Sequence, residues 1–144
     1  MKAFKELKQN RMIDKFPVFI GIQPEKASPI ARAFLKGDVK YKRIKKAESL
    51  AQSINNPAPP GGNIVLKMIY ELNGRVIHVT DKEISKAQML LASYEGLFCL
   101  PASAASLAGV FRLKSENKLN PSDRIVLILT GSGIKNIKVL NPSE

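Results

Sequence analysis

The sequence predicts an α/β fold with three layers, α/β/α, around a mainly parallel sheet of about four strands. Three observations predict it. Helical periodicity alternates with short apolar runs along the chain. Two of these runs, 97–100 (LFCL) and 124–129 (RIVLIL), are continuous, as in strands covered on both faces. Each ends abruptly in small and hydroxylated residues, Pro101-Ala102-Ser103 and Thr130-Gly131-Ser132-Gly133.

Taken in order, residues 3–13 read as an amphipathic helix with Phe4, Leu7, Met12 and Ile13 near one face. Residues 16–23 (FPVFIGIQ) read as a strand, whose first turn tolerates Pro17 because no donor is needed there. A short helix follows over 29–35, with Ser28 as N-cap and Pro29 at its first position. Residues 47–54 read as another short helix. The stretch 55–62 (NNPAPPGG) is the clearest loop, a surface or active-site loop inside one domain spanning 1–144. A helix over 63–72 stops at Asn73-Gly74, and a strand follows over 75–79. Thr80-Asp81-Lys82-Glu83 is a capping box, in which Thr80 and Glu83 satisfy each other's free amides. The helix it opens runs to about Tyr94 and buries Ile84, Ala87, Leu90 and Leu91. Gly96 turns the chain into 97–100, a helix covers 102–114, and Asn120-Pro121-Ser122-Asp123 turns into the last strand, after which TGSG leads to a short tail.

The composition narrows the function classes. With 144 residues, 44% of them hydrophobic, the chain can bury an ordinary core. The one cysteine, Cys99, lies inside an apolar run and reads as a small buried hydrophobe, which suits a reducing compartment. No apolar signal core opens the chain, and its longest apolar run is broken by Pro101, too short for a bilayer. The expectation is a soluble, cytoplasmic protein with no membrane partner. A net charge of +11 peaks at Lys40, Lys42, Arg43, Lys45 and Lys46, with Tyr41 among them. No nucleic-acid-binding signature accompanies that cluster, so a solvated edge is favoured over a nucleic-acid partner.

No catalytic or metal constellation stands out. His78 has no second His or Cys at ligand spacing and reads as a satisfied core or edge histidine. Glu95 either caps a helix end or reaches the crevice beyond the strands. GSGIK lacks P-loop spacing, and the serines of PASAAS have no His or Asp partner. The site candidate is therefore the two hydroxyl-bearing strand ends, because ligands of parallel sheets sit beyond the carboxyl ends of the strands.

These same residues carry a resemblance. EGLFCLPASAASLAGVFRL followed by IVLILTGSGIK resembles the C-terminal half of threonine synthase, a pyridoxal-phosphate enzyme of the tryptophan-synthase-β-like fold. Upstream, KELKQNRMIDKFPVFIGIQPEKASPIARAF, ESLAQSINNPAPPGGNIVLKMI and GRVIHVTDKEISKAQMLLASYEG are similar to that family's segments in the same order. The resemblance implies that Thr130 meets the pyridine nitrogen of the cofactor. It places Gly131, Ser132 and Gly133 against the ring, and Pro101, Ala102 and Ser103 as the neighbouring wall. It also implies the family reaction, O-phosphohomoserine and water to threonine and phosphate. Leu100 stands where the family commonly has Glu, and Ser132 where it commonly has His. The family's Ser-x-Lys-Asp segment, with the Schiff-base lysine, and its Gly-Asn phosphate loop do not occur in this sequence. The expectation is thus a truncated threonine-synthase-like protein, inactive alone, with no catalytic residue of its own. Its partner would be a complementary N-terminal half or a second copy. The competing expectation is a stand-alone binding module whose basic segment holds an anionic partner.

Overall fold

The computed structural model describes residues 2–135. The chain forms α1 (Lys2–Gln9), β1 (Ile20–Pro24), α2 (Pro29–Leu35), α3 (Gly62–Glu71), β2 (Arg75–Val79), α4 (Asp81–Glu95) and α5 (Pro101–Ser115), with single 3₁₀ turns at Glu25–Ala27 and Gln52–Ile54. No described helix is long and apolar enough to cross a membrane. The expected tail falls on 136–144, outside the described residues.

β1 and β2 are parallel, with Ile20 opposite Arg75 and Pro24 opposite Val79. Side chains on a strand alternate between faces, and the two faces of β2 enter different cores. Val76 joins Ile30, Ala31, Ala33, Leu66 and Ile69 from α2 and α3. Val79 joins Ile84, Ala87, Leu91, Ala104, Ala105 and Ala108 from α4 and α5. Helices therefore cover both faces of the sheet, as expected.

The strand count differs. Among the described residues the sheet has two strands, not four. The run 97–100 makes only an isolated antiparallel bridge, Cys99 to Ser132. The run 124–130 joins no sheet, and no hydrogen bond joins its backbone to another described residue. Leu129 packs against the α4–α5 core, while Val126 and Ile128 on the other face are 82% and 67% exposed. An apolar run supplies strand propensity, but a strand exists only where a neighbour supplies the ladder. Among the described residues no neighbour hydrogen-bonds to the backbone of 124–130.

Smaller departures have local causes. The predicted helix over 47–54 shrinks to the turn Gln52–Ile54. The Ser49 hydroxyl donates to Asp81 Oδ1 at 2.5 Å, the Leu50 N–H donates to Asp81 Oδ2 at 3.3 Å, and the Ala51 N–H donates to Ser49 Oγ at 3.1 Å. Side chains thus hold donors that a helix would need. The first helix ends at Gln9 because Arg11 turns left-handed, φ 57°. β1 starts at Ile20, later than the predicted strand. Ser28 does not cap α2: its hydroxyl donates to the Glu25 carbonyl, and Gln23 Oε1 accepts from the Ile30 and Ala31 N–H groups, each at 2.9 Å. His78 is half-buried and its Nδ1 has no partner, so it is not the satisfied histidine expected.

The capping box forms on both sides. The Glu83 N–H donates to Thr80 Oγ1 at 3.2 Å, and the Thr80 N–H donates to Glu83 Oε2 at 2.7 Å. α4 ends at Gly96, whose φ of 66° favours glycine.

Candidate functional site

The residues that follow 130 do not continue outward from a parallel strand end. They fold back antiparallel along 98–100: the Leu100 N–H donates to the Gly131 carbonyl at 2.9 Å, and the Gly133 N–H to the Phe98 carbonyl at 3.0 Å. A β-carbon on Gly131 would lie 2.7 Å from Leu100 Cδ1, and one on Gly133 would lie 2.6 Å from the Phe98 ring. Glycine at both positions is what lets the two segments approach so closely.

This turn brings the two hydroxyl-bearing segments together. Ser103, buried in the first turn of α5, has its Oγ 3.3 Å from Thr130 Oγ1, and it accepts the Gly131 N–H at 3.1 Å. Thr130 is exposed, with Ser103 as its one side-chain partner among the described residues. Pro101 occupies the first helical position, where its missing N–H costs nothing. Ser132 is exposed, and its hydroxyl accepts the Ile134 N–H at 3.4 Å.

Beside this pair lies a pocket of about 410 Å³, lined by Leu50, Gln52, Ser53, Leu100, Pro101, Ala102 and Lys135. Of the predicted site residues, Pro101 and Ala102 line it; Ser103 and the 130–133 segment stand next to it. Sequence reasoning missed Gln52, Ser53 and Lys135. Gln52 and Ser53 reach the pocket because Asp81 draws the preceding residues, Ser49 and Leu50, onto the start of α4.

Gln88, buried on α4, donates from Nε2 to the Cys99 carbonyl at 2.6 Å and fixes the strand-like run from behind. Burial pushes the Cys99 thiol up from its usual range, which keeps it an inert apolar group. Glu95 is the last residue of α4 and is exposed; no hydrogen bond ties it to the crevice among the described residues.

Comparison with known proteins adds to this geometry. The family model described as "Pyridoxal-phosphate dependent enzyme" matches residues 1–131. The chain belongs to the pyridoxal-phosphate dependent enzyme family. Threonine synthase from Methanocaldococcus jannaschii is 41% identical over 135 residues, covering 94% of this chain and 33% of that protein. Threonine synthase from Methanosarcina acetivorans is 35% identical, with the same shares covered. The chain spans about a third of the length of the curated relatives it matches. Among solved structures, the processed form of threonine deaminase isoform 2 from Solanum lycopersicum superposes with a TM-score of 0.69 at 18% identity. That superposition covers 93% of this chain and 37% of that one. Maize serine racemase gives 0.67 at 18% identity, covering 85% and 36%. At such identity these two establish a shared fold.

The Ser103–Thr130 pair offers hydroxyl chemistry at this place, with no charged partner beside it among the described residues. A threonine hydroxyl is neutral and can donate to an aromatic nitrogen without transferring its proton. Ser103 holds that hydroxyl from the buried side, which leaves the other side of Thr130 exposed.

Proposed function

We propose that 101–103 and 130–133 form the ring-nitrogen wall of a pyridoxal-phosphate site in a threonine-synthase-like lyase, acting on O-phosphohomoserine. The observation that carries this reading is the Ser103–Thr130 hydroxyl pair, 3.3 Å apart beside the pocket. When bound, the cofactor supplies an electron-withdrawing ring for charge that develops on the substrate. Thr130 donates to the ring nitrogen and sets how strongly the ring withdraws. Ser103 fixes the Thr130 rotamer and the Gly131 amide together. Leu100 keeps the adjoining wall apolar.

The remaining parts of the site come from the rest of the family's fold. The edge 124–130 is where that part pairs: across seven successive residues the backbone groups have no partner among the described residues, and Ile125, Val126 and Ile128 are exposed. Relatives three times as long carry the complementary portion. In this chain alone, the amides of 124–130 should exchange with deuterium as fast as an unstructured peptide, while those of α4 and α5 are protected. Slow exchange at 124–130 would show that the edge is already covered.

A pyridoxal-phosphate titration of the purified chain, with borohydride reduction and mass spectrometry, tests the assignment. Labelling should be weak and scattered over several lysines, because the lysine-bearing segment lies elsewhere in the fold. Saturable labelling of one lysine would contradict it and place the covalent chemistry within these residues.

A further inference from the structure

The basic segment is not used by that site, and the structure divides it. Lys46 pairs with Glu48. Lys42 and Arg43 instead line a second concavity, of about 180 Å³, together with Arg32 and Lys36 of the α2 end, Pro29, Ala33, Ile44 and one carboxylate, Asp38. It shares no lining residue with the pocket at α5.

Four cations face one carboxylate there. Among the described residues none of the four joins an ion pair, and neither does Asp38. A concave wall with such an excess of positive charge concentrates anions.

The lining is also held in place. The Tyr41 hydroxyl donates to the Pro59 carbonyl and its N–H to Asn63 Oδ1, each at 3.0 Å. The Ile44 N–H donates to the Pro57 carbonyl at 3.1 Å, and the Asp38 N–H to the Ala33 carbonyl at 2.9 Å. The Tyr70 hydroxyl donates to the Asp38 carbonyl at 3.1 Å while its ring stacks on Phe34. Arg32 is steadied by donating from Nε to Ser28 Oγ and from Nη2 to the Glu25 carbonyl, each at 3.3 Å, which leaves further N–H groups for a ligand. The backbone carrying the cations is thus ordered before any ligand arrives, so little ordering cost falls on binding.

We propose that this concavity binds a phosphate group, either free or on a small phosphate monoester. The volume is below the roughly 300–1,000 Å³ of ordinary small-molecule pockets, which suits a single phosphate with a short carbon stem. A guanidinium fork and ammonium groups are the donors such an anion needs. The proposal does not depend on the cofactor reading.

The test is calorimetric titration of the whole chain with inorganic phosphate and with glycerol 3-phosphate at low ionic strength, with amide NMR to map the site. Saturable one-to-one binding with shifts over 32–44 is expected. The double variant Lys42→Ala/Arg43→Ala should weaken it at least about tenfold, since each lost charge-assisted bond is worth about that factor. Lys86→Ala, which removes a charge on α4, should leave the affinity unchanged. Tighter binding of glycerol 3-phosphate assigns the site to an ester, and equal binding assigns it to free phosphate. Equal weakening by Lys86→Ala, non-saturating shifts, or shifts mapping elsewhere would overturn the proposal. So would a single-stranded oligonucleotide that binds this segment and is not displaced by phosphate, because the surface would then serve a polyanion.

Discussion

Glu83→Ala should lower stability by about 2 kcal/mol at neutral pH, a melting-temperature drop of roughly 5–10 °C, and the loss should vanish on acidification. The Glu83 carboxylate is the most heavily bonded in the described chain. Its Oε2 accepts from the Thr80 N–H and hydroxyl and from Arg112 Nη2 at 2.6 Å; its Oε1 accepts from Arg112 Nε at 3.0 Å. Burial alone would raise its pKa, but the bonds from Arg112 and Thr80 outweigh burial and pull it down to about 2 from an ordinary 4.5. The folded value is the lower one, so the stabilisation is full above about pH 4.5 and lost as pH falls through about 2. The side chains of Arg112 and Glu83 are 28% and 35% exposed, so solvent screening keeps the energy near that of a cap plus a partly buried pair. Denaturation of both proteins from neutral to acid pH checks this. Parallel curves with a constant gap would contradict it.

Leu66→Ala should cost more, about 3 kcal/mol, with no dependence on pH. Leu66 is fully buried on α3 against Ile30, Ala31 and Ala33 of α2 and Val76 of β2. Truncation removes the transfer energy of its methyl groups and leaves a cavity. The surrounding packing relaxes only partly into such a cavity. A urea midpoint shifted equally at neutral and acid pH fits this account; a shift below about 1 kcal/mol would mean that α2 and α3 collapse onto the gap.

These two residues show what sequence reading reaches. The Thr80–Glu83 capping box spans four residues, so its chemistry was legible. The partner Arg112, twenty-nine residues on, was not, since nothing local marks an ion pair between two helices. Helices α2 to α5 were legible from periodicity and from their stop signals, Asn73-Gly74 and Gly96. The 47–54 helix failed because Asp81, beyond the reach of any local window, takes the Ser49 and Leu50 donors. Of the apolar runs, 97–100 makes one isolated bridge and 124–129 makes none among the described residues, because propensity carries no information on whether a ladder partner is present. The Ser103–Thr130 contact was anticipated as two neighbouring strand ends; its antiparallel turn was not, because that depends on where Leu100 and Phe98 pack against glycine.

The central claim is that this chain carries the ring-nitrogen wall of a pyridoxal-phosphate site. Its most direct test replaces the matched third of the Methanocaldococcus jannaschii threonine synthase by residues 1–135 of this chain. Pyridoxal-phosphate content after gel filtration and threonine formation are then measured, with Thr130→Val beside it. The account predicts that the chimaera retains the cofactor and that Thr130→Val alters its absorbance spectrum and lowers turnover while the protein stays folded by circular dichroism. A folded chimaera that loses the cofactor, or a Thr130→Val variant with unchanged spectrum and turnover, would contradict it.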